Sequence, residues 1–223
     1  HKCYEVKTVG DSFMVVTADP VAGVKLCIAI QELLYSADWG TEAVDACYKK
    51  HIRDNLNPNE YSALWNGLRV RIGAHFGEVQ VVWDRVMQGY DYFGQTVNIA
   101  ARIEAAATGG QILLSSSLYD RVAGAVDMVP ERLGGYALRG VMTLVQLVQV
   151  APLPLVGREF PPLNLPCEVD PENGVANADI GVSRPFGDLD GNSGARATLD
   201  QAVLAHPLVV KGSVLQGKAF PAV

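Results

Sequence analysis

The sequence is poor in cysteine, modest in charge and without a long apolar run. Its four cysteines, Cys3, Cys27, Cys47 and Cys167, form no C-x-x-C pair and no metal spacing. That argues against a disulfide framework and a structural zinc site, and it reads as reduced thiols in a cytosolic setting. Charged residues make up 19% of the 223 positions and the net charge is -6, which gives no support for nonspecific nucleic-acid binding. No apolar stretch reaches the length of a membrane span, and no signal-peptide pattern opens the chain. A P-loop is absent as well. "DLDGNSG" at 188–194 has the look of a calcium loop, but Ser193 stands where that loop needs Gly and Leu199 fills its twelfth position, so it is rejected. The four histidines lack zinc spacing, and His75 reads as a packing residue. With no initiator Met and an opening inside a strand-like run, the chain reads as a fragment.

What is present is unevenly distributed. All three Trp and all eight Tyr precede residue 150, whereas nine of the twelve Pro follow it. Residues 1–150 therefore read as one folded domain. Residues 151–223, rich in Pro, Gly and Ala, read as a mostly disordered tail with room for a short strand or helix near 202–210. Within the domain, "CYEVKTV" and "SFMVVT" are β-rich runs joined at Gly10-Asp11, a hairpin signal. Asp19 and Pro20 suit the N-cap and first position of a long apolar helix. Residues 37–66 read as an irregular helical insert, with helices near 41–53 and 59–65. "LRVRIGAH" alternates as a strand, with "EVQVVWD" as its expected partner. A helix over 95–107 stops at Gly109-Gly110. "QILLS" is a short buried strand, "SLYDRVA" a short helix, and "GYALRG" with "TLVQLVQV" a closing hairpin. This order predicts an α+β sheet with helices on one face.

The chemistry concentrates in "GYDYFGQTVNIAAR", Gly89 to Arg102. Asn98 and Arg102 lie four residues apart, which places them on one helix face. Asp91 stands upstream in what reads as an aromatic loop. A guanidinium one turn inside a helix can stabilise charge on a phosphate, an amide can orient a sugar, and a carboxylate can accept from an exocyclic amine. Together they describe a nucleotide site. Taken singly, each also has a plainer reading: Asn98 as a solvated helix residue, Arg102 as a surface partner of Glu104 or Glu78, Asp11 as a turn residue and Lys7 as a strand lysine facing water.

"EVKTVGDSFM", "RVRIGAHFGEV" and "GYDYFGQTVNIAAR", in this order, resemble the three central motifs of class III nucleotide cyclase catalytic domains. The insert, with "DWGT" and "WNGLRVRIG" around it, resembles the receptor-type adenylate cyclases of trypanosomatids. The resemblance covers residues 1–150 and implies a ferredoxin-like sheet and the conversion of ATP to 3′,5′-cyclic AMP and pyrophosphate. It implies two Mg²⁺ ions, with Mn²⁺ able to substitute, and a site shared by two copies of the domain. Asp11 matches one of two metal-binding aspartates, Lys7 and Asp91 the adenine-selecting pair, Asn98 the ribose-orienting residue and Arg102 the transition-state arginine. It further implies a parent protein of receptor type, with this domain on the cytoplasmic face of the plasma membrane and itself soluble. The membrane would be reached through a segment upstream.

The chain departs from the pattern twice. The family's first metal aspartate lies on a strand a few dozen residues before the second, and ten residues precede Asp11. The domain is thus expected to lack its first strand, and the chain alone to be inactive or weakly active. Arg139 in "ALRG" stands nearest to where the family has a triphosphate-binding lysine. Two other readings stay open: an inactive cyclase-like regulatory or dimerisation half, and an unrelated ferredoxin-like binding module.

Overall fold

The computed structural model describes residues 2–49, 58–163, 165, 203–205 and 208–214. The fold begins with the expected hairpin. Strands β1 (Tyr4–Val9) and β2 (Ser12–Thr17) meet at Gly10, whose φ of +60° is the left-handed conformation that glycine adopts without strain. Helix α1 (Pro20–Ser36) follows, and Asp19 caps it by accepting from the Val21 amide at 2.9 Å. The insert contributes α2 (Ala43–Lys49) and α3 (Pro58–Leu64). Then come β3 (Val70–Phe76), β4 (Val79–Asp84), β5 (Gly89–Phe93), α4 (Gln95–Ala106), β6 (Ile112–Ser115) and α5 (Ser116–Val122). Strands β7 (Val129–Tyr136), β8 (Val145–Ala151), β9 (Val203–Ala205) and β10 (Leu208–Val214) complete the set.

Seven strands form one sheet in the order β1-β2-β10-β3-β6-β8-β7, with β3 and β6 parallel. The order β5-β4-β9 forms a second, smaller sheet. The fold is thus α+β, as the sequence predicts, but helices cover both faces of the main sheet. On one face Val24 and Cys27 of α1 and Leu118 and Val122 of α5 pack on Ile72, Ile112, Val148 and Leu208. On the other, Ala100 of α4 packs with Met14 and Val209, and Ile103 with Leu113 and Leu147. Strands β6 and β10 bury side chains on both faces, so a single helical layer would leave one side wet.

Three local expectations change. The expected pairing of the 70–76 strand with β4 does not form. β3 pairs with β10 and β6, and the chain turns away at Gly77-Glu78. At this turn the Thr96 hydroxyl donates to the Glu78 carbonyl at 2.6 Å, and a Cβ at Gly77 would lie 2.6 Å from that hydroxyl. "GYDYF", expected as a loop, is strand β5, antiparallel to β4. In the closing hairpin β7 starts earlier than expected and ends at Tyr136, leaving "ALRG" in the connection to β8.

The C-terminal region supplies the largest addition. The short element expected near 202–210 is a strand, β10, which runs on to Val214 and lies between β2 and β3 in the middle of the sheet. Its register runs antiparallel to both, from Leu208 opposite Thr17 and Phe76 to Ser213 opposite Ser12 and Arg71. Leu208, Val209 and Val210 are fully buried. The slot beside β2 is therefore filled, and the apolar surface that a missing strand would expose is covered. Cys167, "DLDGNSG" and the end of the expected 41–53 helix lie outside the described residues.

An arginine and aromatic stack anchors the insert. Trp65 has the Arg69 guanidinium 4.2 Å from its ring centroid and that of Arg158 4.5 Å away. Tyr61 donates to Asp45 at 2.8 Å and accepts from Arg69 at 2.7 Å. Burial, and then the neighbouring Arg69, pull the Arg158 pKa down to about 10.

Candidate functional site

Lys7 and Asp91, 84 positions apart, meet directly. The Lys7 ammonium donates to both carboxylate oxygens of Asp91, at 2.9 and 2.8 Å. A register shift between Glu5 and Lys7 resets the side-chain alternation of β1 and brings Lys7 opposite Met14. β5 approaches from the smaller sheet, where the Tyr4 hydroxyl accepts from the Tyr90 amide at 3.0 Å. The rings of Tyr4 and Tyr92 lie 6.2 Å apart beside it. Asp91 Oδ1 also accepts from the Tyr92 amide at 2.8 Å, which fixes the carboxylate. The pair is half-buried, with side-chain exposures of 38% for Lys7 and 22% for Asp91. It offers a donor and an acceptor side by side in a partly dry setting, where hydrogen bonds discriminate strongly.

Asn98 and Arg102 share the exposed side of α4, as their spacing predicts. The opposite side of the helix, carrying Thr96, Ala100 and Ile103, is buried. One of the surface partners considered for Arg102, Glu104, is otherwise engaged. Glu104 accepts from the Arg71 guanidinium at 2.6 Å and from the Ser213 hydroxyl. Among the described residues no hydrogen bond or ion pair links Asn98 or Arg102 to the Lys7–Asp91 pair. Asp11 stands exposed at the hairpin tip next to Gly10. Arg139 is exposed in the connection between β7 and β8, where Gly140 has a φ of +78°. A single chain thus joins the two base-reading candidates and keeps the helix pair on an exposed face.

Among the described residues no group of three His, Cys, Asp or Glu side chains could hold a metal ion. β10, beside the Asp11 hairpin, carries Lys211 and Ser213 and no carboxylate. His75 is engaged in packing within the sheet. Its Nδ1 lies 2.8 Å from the Ser115 hydroxyl, and burial lowers its pKa to about 4. Sequence reasoning missed Lys211, which faces the same side of the sheet as Met14. Its signal was the run "LVVKGSV", set in a Pro- and Gly-rich background.

A family model described as the adenylate and guanylate cyclase catalytic domain matches residues 1–149. The chain belongs to this class III cyclase family. Receptor-type adenylate cyclase GRESAG 4.2 of Trypanosoma brucei brucei is 41% identical over 183 residues, covering 74% of this chain and 31% of that protein. Receptor-type adenylate cyclase GRESAG 4.1 of the same organism is 36% identical over 226 residues, covering 92% of this chain and 18% of that protein. The latter similarity reaches well into the C-terminal region. A solved structure of adenylate cyclases from Trypanosoma brucei in their monomeric state superposes with a TM-score of 0.70 at 40% identity, covering 75% of this chain and 77% of that one. The chain spans under a third of the length of these two relatives. Among the described residues no helix is long and apolar enough to cross a membrane.

Proposed function

We propose that this domain is an adenylate cyclase catalytic domain that converts ATP to 3′,5′-cyclic AMP and pyrophosphate in intracellular signalling. The observation that carries the reading is the paired donor and acceptor of Lys7 and Asp91. Adenine presents a ring-nitrogen acceptor beside an amino donor. A lysine and an aspartate held side by side complement that edge, and guanine, with a carbonyl in place of the amine, does not. In the reaction the ribose 3′-hydroxyl attacks the α-phosphate and pyrophosphate departs. Asn98 orients the ribose and Arg102 neutralises charge on the reacting phosphate, while Arg139 is assigned to the polyphosphate.

Asn98 and Arg102 lie on the exposed side of α4, and this supports a site completed by a second copy of the domain. The expected assembly is a head-to-tail homodimer in which Lys7, Asp91, Asn98 and Arg102 of one protomer meet Asp11 of the other. Cyclases of this family use divalent metal ions, and two magnesium ions, or manganese in their place, are assigned to Asp11 and its partners. One carboxylate does not make a metal centre, and among the described residues no group of three His, Cys, Asp or Glu side chains completes one around it. The chain by itself should therefore show no more than trace cyclase activity. The parent protein is assigned to the plasma membrane, with this domain on its cytoplasmic face, a reading supported by the receptor-type names of the relatives. Equilibrium competition against a fluorescent adenine nucleotide tests the base reading. ATP should displace the probe at least about tenfold better than GTP, one hydrogen-bonded contact's worth; equal displacement would overturn it.

A further inference from the structure

β10 brings one side chain to the site that its base-reading pair does not explain. Lys211 lies opposite Met14 on one side and Gly73 on the other. Met14 in turn lies opposite Lys7. Lys7, Met14, Lys211 and Gly73 therefore form one row across four neighbouring strands and share a face. That face is the one under α4, because a Cβ on Gly73 would meet the backbone of Glu104 and Ala100. Lys211 is half-buried between a buried methionine and the helix. Burial first, then the Lys7 ammonium, lower its pKa, while Glu104 and Asp91 act in the opposite direction.

The charges of this cluster do not balance. Asp91 is held by Lys7, and Glu104 by Arg71 and Ser213. Among the described residues Lys211 forms no ion pair. Three cations, Lys7, Lys211 and Arg71, thus stand against two carboxylates. A neutral base edge calls for a paired donor and acceptor, which Lys7 and Asp91 already are, and gives no use to a further half-buried positive charge. An anion does. We propose that Lys211 is a further nucleotide-binding residue, supplied by the C-terminal strand, whose ammonium binds the polyphosphate while the Lys7–Asp91 pair reads the base. This rests on the nucleotide reading of the site and adds to it a contact from outside the residues that the family model matches.

The test is calorimetric titration of the full chain, of Lys211→Met and of Lys211→Arg with ATP and with adenosine. Lys211→Met should weaken ATP binding about tenfold, the size of one charge-assisted contact in a half-exposed place. Adenosine binding should be unchanged and Lys211→Arg should restore ATP binding. Equal losses for ATP and adenosine, or no loss, would overturn the assignment. Should Lys211→Met fail to fold, the unaltered chain decides the matter through reductive methylation read by mass spectrometry. ATP but not adenosine should protect Lys211; protection by both or by neither overturns it. Failure of the unaltered chain to bind either ligand would instead bring down the nucleotide reading itself, and this inference with it.

Discussion

Replacing Gly73 with alanine puts the packing behind the site under direct strain. A methyl group there would lie 2.1 Å from the Glu104 amide nitrogen, 2.5 Å from the Glu104 Cα and 2.8 Å from the Ala100 carbonyl oxygen. All three are backbone atoms of α4, so no rotamer change relieves the clash. Either β3 sinks into the opposite core or the helix lifts by more than about 1 Å, since ordinary carbon contacts begin near 3.5 Å. Overpacking of this kind costs about 1–3 kcal/mol. The reduced freedom of the unfolded chain returns somewhat less than about 1 kcal/mol. A net loss of about 1–2 kcal/mol is expected. For a chain of this size that corresponds to a melting temperature lower by about 2–8 °C. Thermal unfolding followed by circular dichroism measures it. The helix that would lift also carries Asn98 and Arg102, so ATP binding should weaken in the same variant. An unchanged or raised melting temperature would refute the close seating of α4 on β3, and with it the stated placement of the helix pair.

Three shorter predictions follow from other parts of the molecule. In an active homodimer Arg102→Ala should lower kcat about 10²–10³-fold, the usual size for one lost transition-state donor, with a much smaller change in KM; a large KM rise at unchanged kcat would mean ground-state binding instead. His75 is held neutral by burial, with its pKa lowered from 6.5 to about 4. The unfolded chain therefore binds the extra proton first, and stability present above pH 6.5 should be lost as pH falls towards 4, by up to about 3 kcal/mol. Urea unfolding at pH 7 and pH 4.5 should show a steeper decline in the unaltered chain than in His75→Gln. Deletion of residues 203–223 should open the sheet between β2 and β3 and uncover the apolar faces that Leu208, Val209 and Val210 now cover. The shortened chain should bind a hydrophobic dye and aggregate, and a well-folded monomer would contradict the seating of β10.

The legible parts of the sequence were those whose signals are local. The Gly10-Asp11 hairpin, the Asp19 cap and the 95–106 helix each rest on residues within a few positions of one another, and they formed as the residue types dictate. The four-residue spacing of Asn98 and Arg102 likewise fixed a shared helix face. Partnerships across the chain were harder. β4 follows β3 after two residues and looked like its hairpin mate, but β3 is covered on both faces, by α4 over Gly73 and by α1 and α5 over Ile72 and Ala74, and belongs in the sheet centre. Its neighbours there come from residues 112–115 and 208–214. "LVVKGSV" is a good strand run that its Pro- and Gly-rich surroundings masked, and its partners lie far upstream. "GYDYF" looked like a loop because glycines flank it, yet pairing with β4 makes it a strand and sets Asp91 against Lys7. The meeting of those two side chains was suggested by motif resemblance, since no periodicity connects positions 84 apart.

The central claim is that Lys7 and Asp91 choose the base, and exchanging their chemistry tests it most directly. Lys7→Glu combined with Asp91→Cys removes the ammonium and the carboxylate that complement adenine and leaves an acceptor that guanine can donate to. The measurement is the dissociation constant of ATP and of GTP for the unaltered chain, each single variant and the double variant. Each buried contact left unpaired costs about 1–3 kcal/mol, or roughly ten- to a hundredfold. The unaltered chain should prefer ATP by at least that factor. The single variants should mainly lose ATP affinity, and the double variant should bind GTP more tightly than ATP. A double variant that kept its full preference for ATP would contradict the account and place base selection elsewhere in the molecule.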